Sequence, residues 1–215
     1  MSTLRYLLVL DFEATCDNTN RIVPRQEMEV IEFPTILYDI EQDKVEAVFH
    51  EYVRPTLHPT LTPFCTDLTG IQQATVDSAA PFPDVWERYQ EFLRTHGVVD
   101  SPSSAIYLTC GDWDLKTMLP MQLRLSKLLE SSSTPSGTLV APYDRWINIK
   151  NSYRRFHDLK YPKGMASMLT HAKMELEGRH HSGIDDCKNI LRLVQRMRQD
   201  GWKPEDDLLP QGKSQ

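Results

Sequence analysis

Tyr6-Leu7-Leu8-Val9-Leu10-Asp11-Phe12-Glu13 is a short apolar run ended by two acids. A run of this length is too short to span a membrane, and no small-residue cleavage site of a secretory signal follows it. Rich in Leu and Val, it predicts a buried central strand over Leu4–Leu10. Strand side chains alternate between the two faces of a sheet, so Asp11 and Glu13 fall on the same side and can face one metal. Asp39-x-Glu41 has the same spacing. There the solvated end of a hairpin explains both acids, whereas a charged pair ending a buried strand needs a reason.

Beyond this strand, Val30–Asp39 and Val45–Val53 read as two more strands joined by a turn at Glu41-Gln42-Asp43-Lys44, an antiparallel start. Thr62 and Pro63 open a short helix that Gly70 ends. Phe82 to His96 predicts a longer helix closed by Gly97, with Phe82, Val85, Trp86, Tyr89 and Leu93 on one stripe. Ala105–Cys110 is a fourth strand, and Pro120 restarts a helix that runs to Leu129. Ser131–Gly137 is a Ser/Pro-rich loop, Trp146–Ile149 a last strand, and Asn151–His157 a basic helix. Lys163–Lys173 and Gly183–Arg198 close the chain, followed by a polar tail from Lys203. The expected architecture is α/β: a mixed five-stranded sheet flanked by helices, with its acids at strand ends, where open α/β sheets bind ligands.

At 215 residues the chain has room for one sizeable α/β domain. A net charge of −6 argues against a protein that coats nucleic acid by bulk electrostatics, but not against an enzyme that holds it through bound cations. Cys16, Cys65, Cys110 and Cys187 form no C-x-x-C pair. This spacing argues against a zinc site or a disulfide framework and for a reducing compartment, cytosol or nucleus.

Two further acidic positions stand out. Asp114 lies just past the fourth strand, with Asp112 as a competitor, and a helix N-cap role would explain either one. Trp113 between them can serve the core or be a platform for a base. Before the last helix, His180→Asp185 and His181→Asp186 share one spacing. Asp186 lies in phase with Ile190, Leu193 and Val194 on the buried stripe, whereas Asp185 shares its phase with Asn189, Arg192 and Arg196 on the polar face. Helix phase therefore selects Asp186, and His181 with it. Arg145, Lys150, Arg154, Arg155, Lys160 and Lys163 form a basic cluster that suits either a phosphate-guiding face or a solvated helix surface. His58, His96 and His171, like Met165, Met168 and Met174, have ordinary structural explanations.

Together, Asp-x-Glu, a later strand-end Asp and His-x4-Asp resemble the DEDDh exonuclease superfamily of ribonuclease-H-like fold. The likeness extends to its Eri-like (enhancer of RNA interference) branch, through Asp11-Phe12-Glu13-Ala14-Thr15-Cys16, Ile31-Glu32-Phe33-Pro34, Tyr52-Val53-Arg54-Pro55, Phe64-Cys65 and Leu68-Thr69-Gly70-Ile71. It continues in Gly111-Asp112-Trp113-Asp114, Trp146-Ile147-Asn148-Ile149 and the run from His181 to Ile190. The match spans about Tyr6 to Trp202. Asp112 stands where the family often has Ser, His180 stands where Pro is common, and the loop Ser131–Pro142 is longer than usual.

The resemblance implies one exonuclease domain over residues 1–202 and a tail over 203–215. It implies a 3′–5′ exoribonuclease that releases nucleoside 5′-monophosphates from RNA 3′ ends, single-stranded or overhanging. Asp11, Glu13, Asp114 and Asp186 would hold two Mg²⁺ ions about 3.5–4 Å apart, with Mn²⁺ able to substitute. One ion would activate water and the other would stabilise the leaving 3′ oxygen, with His181 as general base. Glu13, Ala14, Thr15, Phe64, Trp113 and His181 would contact the terminal nucleotide. Alternatives are a DNA-directed 3′–5′ exonuclease, a ribonuclease-H-like endonuclease, or a catalytically silent RNA-binding adaptor on the same fold. No membrane role is expected.

Overall fold

The computed structural model describes residues 4–129 and 139–208. The opening run forms strand β1 (Tyr6–Leu10), fully flanked in the sheet interior. It pairs antiparallel with β3 (Val30–Asp39), which pairs antiparallel with β4 (Lys44–Arg54). On its other edge β1 pairs parallel with β6 (Ala105–Thr109), and β6 pairs parallel with β7 (Trp146–Asn148). The five expected strands are all present. Two short ones join them: β2 (Glu13–Ala14) against β3, and β5 (Ala80–Pro81) parallel to β4, giving seven strands in the order β5-β4-β3-β1-β6-β7 with β2 on β3. Two-residue bridges carry too little periodicity to be seen in a sequence.

Alternation in β1 divides the core. Leu8 and Leu10 pack into one cluster with Phe33, Phe49, Trp86, Tyr89 and Tyr107. Leu7 and Val9 pack into another with Ile36, Ile106, Ile190, Leu193 and Val194. The first face is covered by α3 (Phe82–Thr95), whose buried residues are the expected stripe. Three helices supply residues to the second: α5 (Ile149–Phe156), α6 (Met165–His171) and α7 (Gly183–Gln199). Burying apolar surface on both faces stabilises β1 as a central strand.

Local chemistry sets the helix ends. Thr62 caps α1 (Pro63–Thr69) by accepting from the Cys65 N–H, and Gly70 ends it with φ 80°. A second short helix, α2 (Gln73–Asp77), follows. The expected restart at Pro120 does not occur. Asp114–Met118 is a π-helical turn running straight into α4 (Leu119–Leu125), with the Leu119 N–H bonded to the Asp114 carbonyl. Proline has no N–H and crowds the preceding turn, and a widened π turn accommodates both without breaking the helix. The expected free tail from Lys203 begins instead with a 3-10 turn, Pro204–Asp207, tied down where Asp207 accepts from Arg155 and from Trp202 Nε1. The Ser131–Gly137 loop and residues 209–215 lie outside the described residues. No described helix is long and apolar enough to cross a membrane.

Candidate active site

Asp11 follows β1 directly, and Glu13 opens β2 opposite Glu32 of β3. Helix α7 meets the strand end at Gly183, where a Cβ atom would lie 2.6 Å from the Asp11 carbonyl oxygen. Only glycine allows that approach, and it brings Asp186, one turn into the helix, to the strand-end acids. One oxygen each from Asp11, Glu13 and Asp186 lie within 4.8 Å of one another. Asp186 is 5% exposed; its Oδ2 accepts the His181 N–H at 3.0 Å, while its Oδ1 is buried with no protein partner. Asp114 is buried at the start of the π turn and accepts the Phe12 N–H at 2.9 Å. It lines a recess of about 260 Å³ together with Asp11, Glu13, Ala14, Trp113 and His181.

Crowding of acids shows in their proton affinities. Burial, followed by the neighbouring carboxylates of Asp114, Asp186, Glu13 and Glu32, holds Asp11 well above the usual carboxylate range. Burial and then Glu32 push Glu13 to about 9. Burial raises Asp186 to about 7 against the stabilising His181 N–H, and raises Asp114 to about 6 against the Phe12 N–H and Lys150. Acids packed this way repel when ionised, and divalent cations relieve that repulsion. Hard oxygen donors and an orphaned, buried Asp186 oxygen fit a magnesium-type ion.

His181 stands beside the carboxylates, lining both this recess and a second groove. Its φ of 63° is uncommon for a non-glycine residue, and such backbone is found where the surroundings enforce it. Burial, with the charges of His180 and Arg179, holds its pKa below 6.5. The His180 ring stacks on it at 4.0 Å but is exposed.

Several expected positions lie elsewhere. Thr15 stands outside the recess; its N–H donates to the Glu29 carbonyl and its hydroxyl accepts the Glu29 N–H. Phe64 is 39% exposed and does not line the recess, whereas Leu68, one turn later on α1, lines it together with Trp113 and Met28. Asp112 turns away from the acids and accepts from Trp146 Nε1 and Asn148 Nδ2. Asp39 is not a solvated hairpin end: it is fully buried and bonded to Arg5 and the Gln42 N–H. Asp185 accepts the Arg179 N–H and pairs with Lys188. Asn189, placed on the polar face by helix phase, is completely buried and bonds the Glu177 backbone in both directions. The connection before α7 covers that face, which helix phase cannot show. In the basic cluster, Arg155 is engaged by Asp207 and Arg145 by the Pro102 carbonyl, while Lys150 lines the second groove.

Glu32 has a role not foreseen in its motif. It is 1% exposed and accepts the Gly183 and Ile184 N–H groups at 2.9 and 3.1 Å, with His50 Nε2 at 2.8 Å. A buried carboxylate on the N–H groups that a helix N-terminus leaves without an intrahelical acceptor fixes that helix end. An acid set between the apolar residues Ile31 and Phe33 was the available clue. Met28 carried no local clue; Leu68 had one, its four-residue offset from Phe64 on one helix.

Residues 8–194 match the model of the exonuclease family. The chain is 43% identical over 199 residues to ERI1 exoribonuclease 3 of Homo sapiens, which covers 92% of this chain and 55% of that protein. It is 38% identical over 200 residues to 3′-5′ exoribonuclease 1 of Mus musculus, at 91% and 54% coverage. The chain thus spans about half the length of these curated relatives. Among solved structures, the nuclease domain of 3′hExo, a DEDDh family member bound to rAMP, gives a TM-score of 0.79 at 35% identity, covering 93% of this chain and 94% of that one.

Proposed function

This chain belongs to the exonuclease family, in its Eri-like DEDDh branch, and from that premise we propose that it is a divalent-metal-dependent 3′–5′ exoribonuclease. The observation that carries the proposal is the buried, partnerless Asp186 Oδ1 gathered with oxygens of Asp11 and Glu13. Asp11, Glu13, Asp114 and Asp186 would hold two Mg²⁺ ions, or Mn²⁺ in their place. Bound there, the cations supply an activated water and stabilise charge on the leaving 3′ oxygen. Trp113, Leu68 and Met28 give the terminal base apolar surfaces that discriminate little between bases. His181, kept neutral near pH 7, takes a proton from the attacking water. Asp186 holds the His181 backbone in place through its Oδ2.

RNA is favoured as substrate by relatives that are named exoribonucleases. Residues 1–202 act as one exonuclease domain in this proposal. Four free cysteine thiols fit a reducing compartment, cytosol or nucleus. The test uses 5′-labelled single-stranded RNA, duplex RNA with a 3′ overhang and single-stranded DNA, each with Mg²⁺ or chelator. Stepwise shortening of RNA from the 3′ end, with nucleoside 5′-monophosphates released only with Mg²⁺, is expected. Chelator-resistant cutting, internal first cuts or faster cutting of DNA would overturn it.

A further inference from the structure

Two recesses meet at Asp11, Cys110 and His181. The one with Trp113, Leu68 and Met28 takes the terminal nucleoside in the function proposed above, on which this inference rests. With the scissile phosphate at the carboxylates, the adjoining recess offers a path for the chain on its 5′ side. That groove, about 370 Å³, has Asp186 in its lining besides the shared residues, and beyond these carboxylates Lys150, Ser167, His180 and Ile190 line it.

Lys150 is half-buried, and its Nζ lies against Gly111, 3.5 Å from where a Cβ would stand. Among the described residues no carboxylate lies within ion-pair distance of it, unlike Arg155, which Asp207 engages. Its charge opposes the rise that burial imposes on Asp114 and Cys110, so it reaches the edge of the site. An ammonium at the edge of a groove with no carboxylate within ion-pair distance can take an anion that enters the groove. Phosphodiesters are the anions an RNA strand brings, and lysine binds them as a point charge.

We infer that Lys150 holds the phosphodiester next upstream of the one cut, making this groove a subsite for the penultimate nucleotide. The competing role is purely local: Lys150 would offset the acidic cluster and touch no upstream phosphate.

The experiment uses two pentaribonucleotides, one natural and one whose next-to-last phosphodiester is a neutral methylphosphonate. First-cut kcat/KM is measured for wild type, Lys150→Ala and Lys150→Arg with Mg²⁺. Wild type should prefer the natural RNA by about tenfold, a difference of about 1.4 kcal/mol. Lys150→Ala should lose about tenfold on the natural RNA, mostly in KM, and match wild type on the methylphosphonate. Lys150→Arg should keep most of the preference. An equal loss on both substrates, or no preference in wild type, would overturn the subsite and leave the nuclease function standing. Failure of wild type to release a 5′-monophosphate from the natural RNA would overturn the nuclease function, and the subsite with it.

Discussion

In chelator, the folded protein should lose stability as pH rises from 5 to 7, and saturating Mg²⁺ should remove that loss. The perturbation acts on acids whose folded pKa values are raised: Asp186 to about 7 and Glu13 to about 9, chiefly by burial. A raised acid stabilises the fold fully below its unfolded value, and that contribution is lost as pH rises through the folded value. For Asp186 the window runs from its reference of 3.8 up to about 7. Between pH 5 and 7 the unfolded chain has released that proton while the folded one holds it, at about 1.4 kcal/mol per pH unit. Asp186 alone therefore gives a loss of about 2–3 kcal/mol, and Glu13 acts in the same direction. Asp11 and Asp114 are raised as well, so the share of Asp186 is a lower bound on the loss.

A chain of this size moves roughly 2–4 °C per kcal/mol, so the share of Asp186 alone should lower the midpoint in chelator by about 4–12 °C across the window. The assay is thermal unfolding followed by circular dichroism at pH 5, 6 and 7, with chelator or with Mg²⁺. His157 and His181 have lowered pKa values and push the other way, gaining stability as pH rises. His157 lies away from the acids and does so in both arms, whereas His181 stands beside them, so the difference between arms reports the acids together with His181. Asp186→Asn should make the chelator arm shallower by its own share, leaving the slope that Glu13 and Asp11 impose. Parallel slopes with and without Mg²⁺ would refute the premise that these acids form a cation site.

Asp186→Asn should abolish RNA trimming, while Asp185→Asn should keep most turnover at some cost in stability, since its carboxylate holds the Arg179 N–H and Lys188; equal loss of turnover in both folded variants would defeat the phase argument. His181→Ala should bind Mg²⁺ and an RNA 3′ end within about tenfold of wild type. Its turnover should fall by roughly 10²–10⁴, with the acid limb below pH 6.5 gone from its rate profile; a loss in His180→Ala of the same size would reassign the base. Glu32→Ala leaves the buried Gly183 N–H and the part-buried Ile184 N–H without their acceptor and should cost about 2–4 kcal/mol; an unchanged urea midpoint would show that water replaces the carboxylate.

What the sequence discloses here depends on whether the cause is local. β1 and β3 announce themselves as short, largely apolar runs buried on both faces, and α3 and α7 through helical phase. Asp11, Glu13 and Asp186 are legible for the same reason: they are acids at positions whose neighbours are buried. Asp114 could not be separated from Asp112 by pattern alone. The choice comes from the Phe12 N–H on one acid and from Trp146 and Asn148 on the other, contacts far away in sequence. Asn189 misleads by phase because the segment at Glu177 covers what would otherwise be solvent.

The convergence of the acids has a physical explanation that the motifs contain but do not show. Asp11 and Glu13 sit where a central strand ends, and such an end is held in place by core on both faces. Asp186 arrives on a separate element, so its position depends on how closely α7 can approach. Gly183 removes the one Cβ that would strike the Asp11 carbonyl, and Glu32 binds the N–H groups of Gly183 and Ile184 from the neighbouring strand. His181 is then tied to Asp186 through its own N–H, so the proposed base and the proposed metal ligand move as one unit. The fixed His-x4-Asp spacing follows: one helix entry places the ring and the carboxylate together, and adding or deleting a residue between them would separate the N–H from its acceptor.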